Sequence, residues 1–226
     1  MGKKRKLDQT RSKADPRSHK KSKSAAAPGK KAKPPAVTQH PAHDAVEYDP
    51  FDRVLLVGEG DFSFAASLVE HHGAADLLAT SFDSEEEVIR KYSIAETHLQ
   101  TIRAAEQPLL FTVDATKLKQ KPIRNHAPYD KIIFNFPHVG GKSTDQDRQI
   151  RHNQELLLQF FQAATPLLKE RTGTIHVTLF ERHPYSAWDV RGLARTAGLV
   201  GVRSAKFRFE EYPGYTHART LGTLEG

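Results

Sequence analysis

The chain has 226 residues, a net charge of +7 and no cysteine, a length that suits one domain plus a tail and a composition that excludes disulfides and thiolate-bound metals. No apolar run approaches the roughly 20 residues that cross a bilayer, and the basic start Met1-Gly2-Lys3-Lys4-Arg5-Lys6 lacks the apolar core of a signal peptide. The twelve histidines include no His-x-x-x-His pair, so no metal site is expected.

Charge is unevenly spread. Residues 1–35 hold 13 Lys or Arg against two acids, Asp8 and Asp15, a balance of +11 that leaves −4 for the rest. This arm carries almost no large apolar residue and cannot offset the entropy of ordering. It reads as a nucleic-acid-binding arm, a nuclear or nucleolar address, or both, with a merely solubilising tail as the plain alternative. Residues 34–50 are rich in Pro and His and read as a linker. The expected division is a disordered basic tail and linker over 1–50 and one domain over 51–226.

The first strand is expected at 53–57. Four apolar residues, Val54 to Val57, imply a strand covered on both faces. Gly58-Glu59-Gly60-Asp61-Phe62-Ser63 follows, then a helix over 64–72. Glycines there let the chain turn sharply and a ligand approach, and the helix offers N–H groups and the positive end of its dipole. A dinucleotide loop would read Gly-x-Gly-x-x-Gly, but its sixth position here is Ser63, and Glu59 and Asp61 would repel a pyrophosphate. The acids suit a cationic ligand without phosphate, such as S-adenosylmethionine. A tight turn with no ligand is the bland alternative.

The second strand is expected at 77–82, ending at Asp83. Ser84 and Glu87 form a capping-box pattern opening a helix to about Tyr92, which resumes through Ala105. The third strand is expected at 109–113, ending at Asp114 and Ala115, and little helix is expected over 115–129. The fourth spans 131–134 and runs into Asn135-Phe136-Pro137-His138. A Gly-rich polar loop precedes a long helix over 148–168, whose apolar positions Ile150, Leu157, Phe160, Phe161, Ala164 and Leu168 recur at helical steps. A fifth strand at 173–180 and a helix at 187–197 follow. Two extended runs, 199–209 and 215–221, flank Pro213-Gly214 as a terminal hairpin.

Alternating strands and helices imply a parallel sheet, in which ligands bind beyond the carboxyl ends of the strands. An acid after strand two can accept from a ribose diol, and one after strand three from an adenine amine. Each acid alone could equally be a cap or a solvated turn residue.

The architecture resembles the Rossmann-like S-adenosylmethionine-dependent methyltransferases, a mostly parallel seven-stranded sheet with a C-terminal antiparallel hairpin. Asn135 to His138 resembles the Asn/Asp-Pro-Pro-Tyr loop of methyltransferases acting on nitrogen of planar substrates. Val-Gly-Glu-Gly-Asp-Phe-Ser-Phe (57–64), Ala-Thr-Ser-Phe-Asp-Ser (79–84), Val-Asp-Ala-Thr (113–116), Phe-Asn-Phe-Pro-His (134–138), His152-Asn153, and Pro184-Tyr185 with Trp188 are together similar to the Bmt5-like 25S ribosomal RNA uridine-N3 methyltransferases. The resemblance covers about 52–221.

It implies a nucleolar, nuclear enzyme that methylates N3 of a uridine in large-subunit ribosomal RNA during ribosome biogenesis. The pre-60S particle is then the partner, without metal or membrane, and the protein is expected to be a monomer. The cofactor, S-adenosylmethionine, would lie on Gly58, Glu59, Gly60, Asp61, Phe62, Ser63, Asp83, Asp114, Ala115 and Asn135. Asn135, Phe136, Pro137 and His138 would hold the base, sandwiched by Phe136 and either Tyr185 or Trp188. His138 is the nearest titratable candidate for a base. A non-catalytic RNA-binding assembly factor on the same fold is the alternative, and a nucleotide-dependent oxidoreductase is disfavoured by Ser63 and the loop acids.

Overall fold

The computed structural model describes residue 46 and residues 48–218. The basic arm, most of the linker and 219–226 lie outside them. Within the described residues, strands β1 (Arg53–Leu56), β2 (Asp76–Thr80), β3 (Leu109–Leu110), β4 (Lys131–Asn135) and β5 (Thr174–Thr178) form one sheet, in the order β3-β2-β1-β4-β5. Every pair is parallel. The order reverses between β1 and β4, so a crevice opens there at the carboxyl ends of the strands.

The apolar run of β1 is buried on both sides because its side chains alternate. Val54 and Leu56 face α1 (Ser63–His71), α2 (Glu85–Lys91) and α3 (Ala95–Ala104), against Phe64, Leu68, Val88, Leu99 and Ile102. Leu55 and Val57 face the other layer, with Ile123 of α4 (Lys121–His126), Leu157, Phe160 and Phe161 of α5 (Gln146–Ala164), and Leu193 beside them on α6 (Val190–Thr196). The Ser84 capping box forms in full. The Ser84 hydroxyl accepts from the Glu87 N–H, and the Glu87 carboxylate accepts from the Ser84 N–H.

Several expected boundaries move. β3 stops at Leu110 instead of running to Val113, because Thr112 adopts φ +55° and its N–H turns to the Asp83 carbonyl. Helix α4 forms where little helix was expected, since Pro122 sits in the first turn, where a missing N–H costs nothing. Helix α5 opens two residues earlier than expected, at Gln146, after the N-cap Asp145, whose carboxylate accepts from the Arg148 N–H. It gives way to a 3-10 turn, Thr165–Leu167, at Pro166, which cannot supply an α-helical N–H. The helix expected over 187–197 breaks at Asp189 (φ +47°) into a 3-10 turn, Tyr185–Trp188, and α6.

Among the described residues neither the terminal hairpin nor a seven-stranded sheet is seen. The described residues form five strands, and 199–209 and 215–218 belong to none of them. Residues 219–221 of the second run lie outside the described part. Val200 and Val202 stay exposed. Tyr212 and Tyr215 pack on Phe64, with ring centroids 4.9 and 5.1 Å away. The Pro213-Gly214 turn does form, closed by the Tyr215 N–H on the Tyr212 carbonyl at 3.0 Å. Among the described residues, no helix is long and apolar enough to cross a membrane.

Candidate active site

A cavity of about 500 Å³ opens at the switch between β1 and β4, within the size range of small-molecule sites. It gathers residues from all four predicted strand ends: Gly58, Glu59, Gly60 and Asp61 after β1, Asp83 after β2, Asp114 and Ala115 after β3, and Asn135 to His138 after β4.

The glycines have separate reasons to be glycine. Gly58 has φ +71°, and a Cβ on it would stand 2.5 Å from the Phe134 ring. A Cβ on Gly60 would meet Ala218 at 3.1 Å. Between and after them, the two acids turn partly inward. Asp61 accepts from both the N–H and the hydroxyl of Ser63, at 3.0 and 2.7 Å, and Glu59 accepts from the Ala65 N–H at 3.2 Å. The first turn of α1 is therefore capped by the protein's own carboxylates rather than left open to an anion. Burial, reinforced by the nearby Asp61 charge, pushes the Glu59 carboxyl up to about 8, while the Ala65 N–H works against the rise. Phe62 and Ser63, expected as ligand contacts, do not line the cavity. Phe62 is core, 5.5 Å from Phe111, and Ser63 is buried against Asp61 and Thr216.

Asp83 is paired with Lys91 at 2.7 Å. Asp114 accepts from the Thr116 hydroxyl at 2.6 Å and the Thr116 N–H at 2.9 Å, with Lys117 at 3.0 Å. Burial would raise its pKa, but those Thr116 and Lys117 bonds together hold it below the usual carboxylate range. Both carboxylates line the cavity, each with a local partner that orients it.

Asn135 closes β4 beside β5. Its Oδ1 accepts from the Thr178 hydroxyl at 2.7 Å, while its Nδ2 is buried with no hydrogen-bond partner. An unsatisfied buried amide is costly, so this residue waits for an acceptor. Phe136 takes φ +47° and is packed against Phe180 at 4.7 Å and His217 at 4.5 Å. His138 accepts the Gly140 N–H on Nδ1 at 2.9 Å, and half-burial pulls its pKa below the usual imidazole value. With Nδ1 accepting, the neutral ring carries its proton on Nε2. Trp188 and Tyr185 do not line the cavity. Trp188 is buried against Tyr185, and Tyr185 packs edge-on to Phe180.

The structure adds residues that spacing did not point to. Phe82, 71% exposed, stands at the cavity mouth beside Asp83, and Tyr92, Lys142 and His152 share its walls. Asn153, buried on α5, accepts the Val139 N–H at 3.0 Å and so pins the loop after β4. Tyr215, His217 and Ala218 arrive from the chain end. The signal for them was Pro213-Gly214, which places a turn there without saying where it lands. Among the described residues, no cluster of three metal-ligating side chains occurs.

The model of the BMT5-like family, rRNA (uridine-N3-)-methyltransferase BTM5-like, matches residues 55–219. The chain is 34% identical to the 25S rRNA (uridine(2634)-N(3))-methyltransferase of Saccharomyces cerevisiae, over 76% of this chain and 68% of that one. It is 39% identical to the heavy metal-associated isoprenylated plant protein 41 of Arabidopsis thaliana over 77% of its own length, and spans only 34% of that longer protein. Among solved structures, BdcA from E. coli matches at a TM-score of 0.41 and 17% identity, over 65% of this chain and 77% of that one. The matched region holds every strand of the sheet but the first two residues of β1, and the whole of the described crevice, and on it the chain belongs to the BMT5-like rRNA (uridine-N3-)-methyltransferase family.

Proposed function

We propose that the protein is an S-adenosylmethionine-dependent methyltransferase that methylates N3 of a uridine in large-subunit ribosomal RNA, acting as a monomer on pre-60S particles in the nucleolus. The observation that carries the reading is the meeting, in one crevice, of the glycine loop, the two acids after β2 and β3, and Asn135 with an unpartnered Nδ2. Family membership supports the same reaction class.

The chemistry of the lining fits such a cofactor. The Asp61 and Glu59 side chains already take the Ser63 and Ala65 N–H groups at the start of α1, which disfavours a phosphate there. Gly58 and Gly60 hold space that a Cβ would fill. Asp83 and Asp114 offer acceptors for hydroxyl and amino groups. When bound, S-adenosylmethionine supplies an electrophilic methyl group. The chain's own task is to hold the nucleophilic nitrogen in line with it, since positioning alone accounts for much of such a rate. The Asn135 Nδ2 suits a uracil carbonyl, because Thr178 already takes its oxygen. The target base must leave its stack to reach this depth.

Calorimetry with S-adenosylmethionine tests the pocket: Asp83→Ala and Gly60→Arg abolish binding, and retained affinity in both removes the proposal. Incubation with labelled cofactor and total RNA, with the modified base then mapped, tests the target. Asn135→Ala binds cofactor as before and loses turnover, by about 100-fold for a group acting only on the reacting base.

A further inference from the structure

A side-chain amide has two ends of opposite character, an oxygen that accepts and an NH2 that donates. Which end Asn135 turns to the crevice decides which base fits there, and the neighbouring strand makes that choice. Thr178 on β5 stands opposite Asn135 on β4. Its carbonyl accepts from the Phe136 N–H at 2.9 Å, which fixes the start of the loop. Its hydroxyl donates to Asn135 Oδ1 at 2.7 Å. A β-branched side chain has few rotamers, so the strand itself sets that hydroxyl in place. Asn135 is thereby left with Nδ2 buried and without a partner, in a residue on the crevice wall. Turned over, the amide would offer the hydroxyl a donor instead of an acceptor, and the hydroxyl hydrogen would lose the bond it makes.

This arrangement is the reverse of what an exocyclic amine needs. An amine brings hydrogens and asks for an acceptor, and the Asn135 oxygen is already taken. The two pyrimidines of RNA differ at the position beside N3. Uracil carries a carbonyl oxygen on C4, where cytosine carries an amino group. Their C2 carbonyls are alike, so a donor facing C2 would not tell them apart. A donor facing C4 pairs with uracil and meets only hydrogens on cytosine.

Resting on the methyl-transfer reading above, we infer that Thr178 makes the site select uracil over cytosine: by holding Oδ1 it turns the Asn135 Nδ2 toward the C4 carbonyl of the target base. Thr178 is a positioning residue. It does not line the crevice and acts only through Asn135. Cytosine in the same place would leave a buried donor facing donors, a mismatch that weakens binding by about 10-fold or more.

The test uses the full chain and labelled oligouridylate and oligocytidylate of equal length, with affinities read by fluorescence anisotropy at one salt concentration. Contacts to phosphate are common to both probes, so their ratio reports the base. The wild type binds oligouridylate about 10-fold more tightly. Thr178→Val, which keeps the shape and removes the hydroxyl, brings the two affinities close to parity, and Thr178→Ser restores the difference. Asn135→Asp, whose carboxylate only accepts, reverses the order. Calorimetry with S-adenosylmethionine gives the same affinity for Thr178→Val as for the wild type, which separates this role from a general loss of structure. On a large-subunit ribosomal RNA transcript, the single-turnover methylation rate of Thr178→Val falls about 10-fold, the effect of one misdirected hydrogen bond, and Thr178→Ser recovers it. A wild type with no preference between the probes, or a Thr178→Val variant that keeps the wild-type preference, overturns the inference while leaving methyl transfer standing. Absence of methyl transfer by the wild type removes the reaction itself, and this inference with it.

Discussion

Glu59 carries a carboxyl whose folded-state pKa, about 8, lies well above its ordinary value of 4.5, chiefly because burial penalises the charged form. Between those values the folded chain holds a proton that the unfolded chain has released. Stability therefore falls as pH climbs from about 4.5 and levels off above about 8. Glu59→Gln keeps an acceptor for the Ala65 N–H and removes the ionisation. Urea midpoints measured between pH 5 and 9 should decline less steeply in the variant and cross above the wild type at the alkaline end. At Gly58 the demand is geometric. Gly58→Ala must accept both φ +71° and a Cβ 2.5 Å from the Phe134 ring, and should lose about 2–4 kcal/mol of stability from strain and overpacking together, read from the same urea titration.

At the scale of elements, local chemistry was legible wherever one residue type suffices. The Ser84–Glu87 capping box could be read from two letters and forms as expected. Ser84→Ala should cost about 1 kcal/mol, seen as a shift of the thermal midpoint with cofactor affinity little changed. Five parallel strands following the apolar runs were equally plain. Where neighbours decide, the reading ran out. Phe111 and Thr112 look like strand, yet the Thr112 N–H finds the Asp83 carbonyl and the ladder ends. Trp188 looks like a platform for a base, but it fills the layer behind His138. The runs 199–209 and 215–218 have strand composition, and among the described residues they join no strand of the sheet, while Tyr212 and Tyr215 between and beside them pack on Phe64.

Across the whole molecule, the parallel sheet sets the ends of β1 and β4 side by side, with Leu56 opposite Ile133, and everything the site uses hangs from that register. Under the proposed reading, the basic arm supplies a second, longer-ranged contribution to RNA binding. Replacing Lys20, Lys21, Lys23, Lys30, Lys31 and Lys33 by Ala in the full chain should flatten the dependence of RNA affinity on salt, by up to about 4 in the log–log slope for single-stranded RNA if all six contact phosphates. Cofactor affinity should not move, and calorimetry beside filter binding separates the two.

From residues alone came the parallel α/β class, the crevice at the strand ends, and the acids and Asn135 that crown it, because apolar period, glycines and strand-end polar residues are local signals. Tertiary structure alone decided that Glu59 and Asp61 cap their own helix, that His138 spends its acceptor on Gly140, and that His217 comes to stand beside Phe136. Those outcomes depend on which groups meet in space across as many as 153 residues, as Ser63 and Thr216 do, and no local pattern encodes a partner that distant.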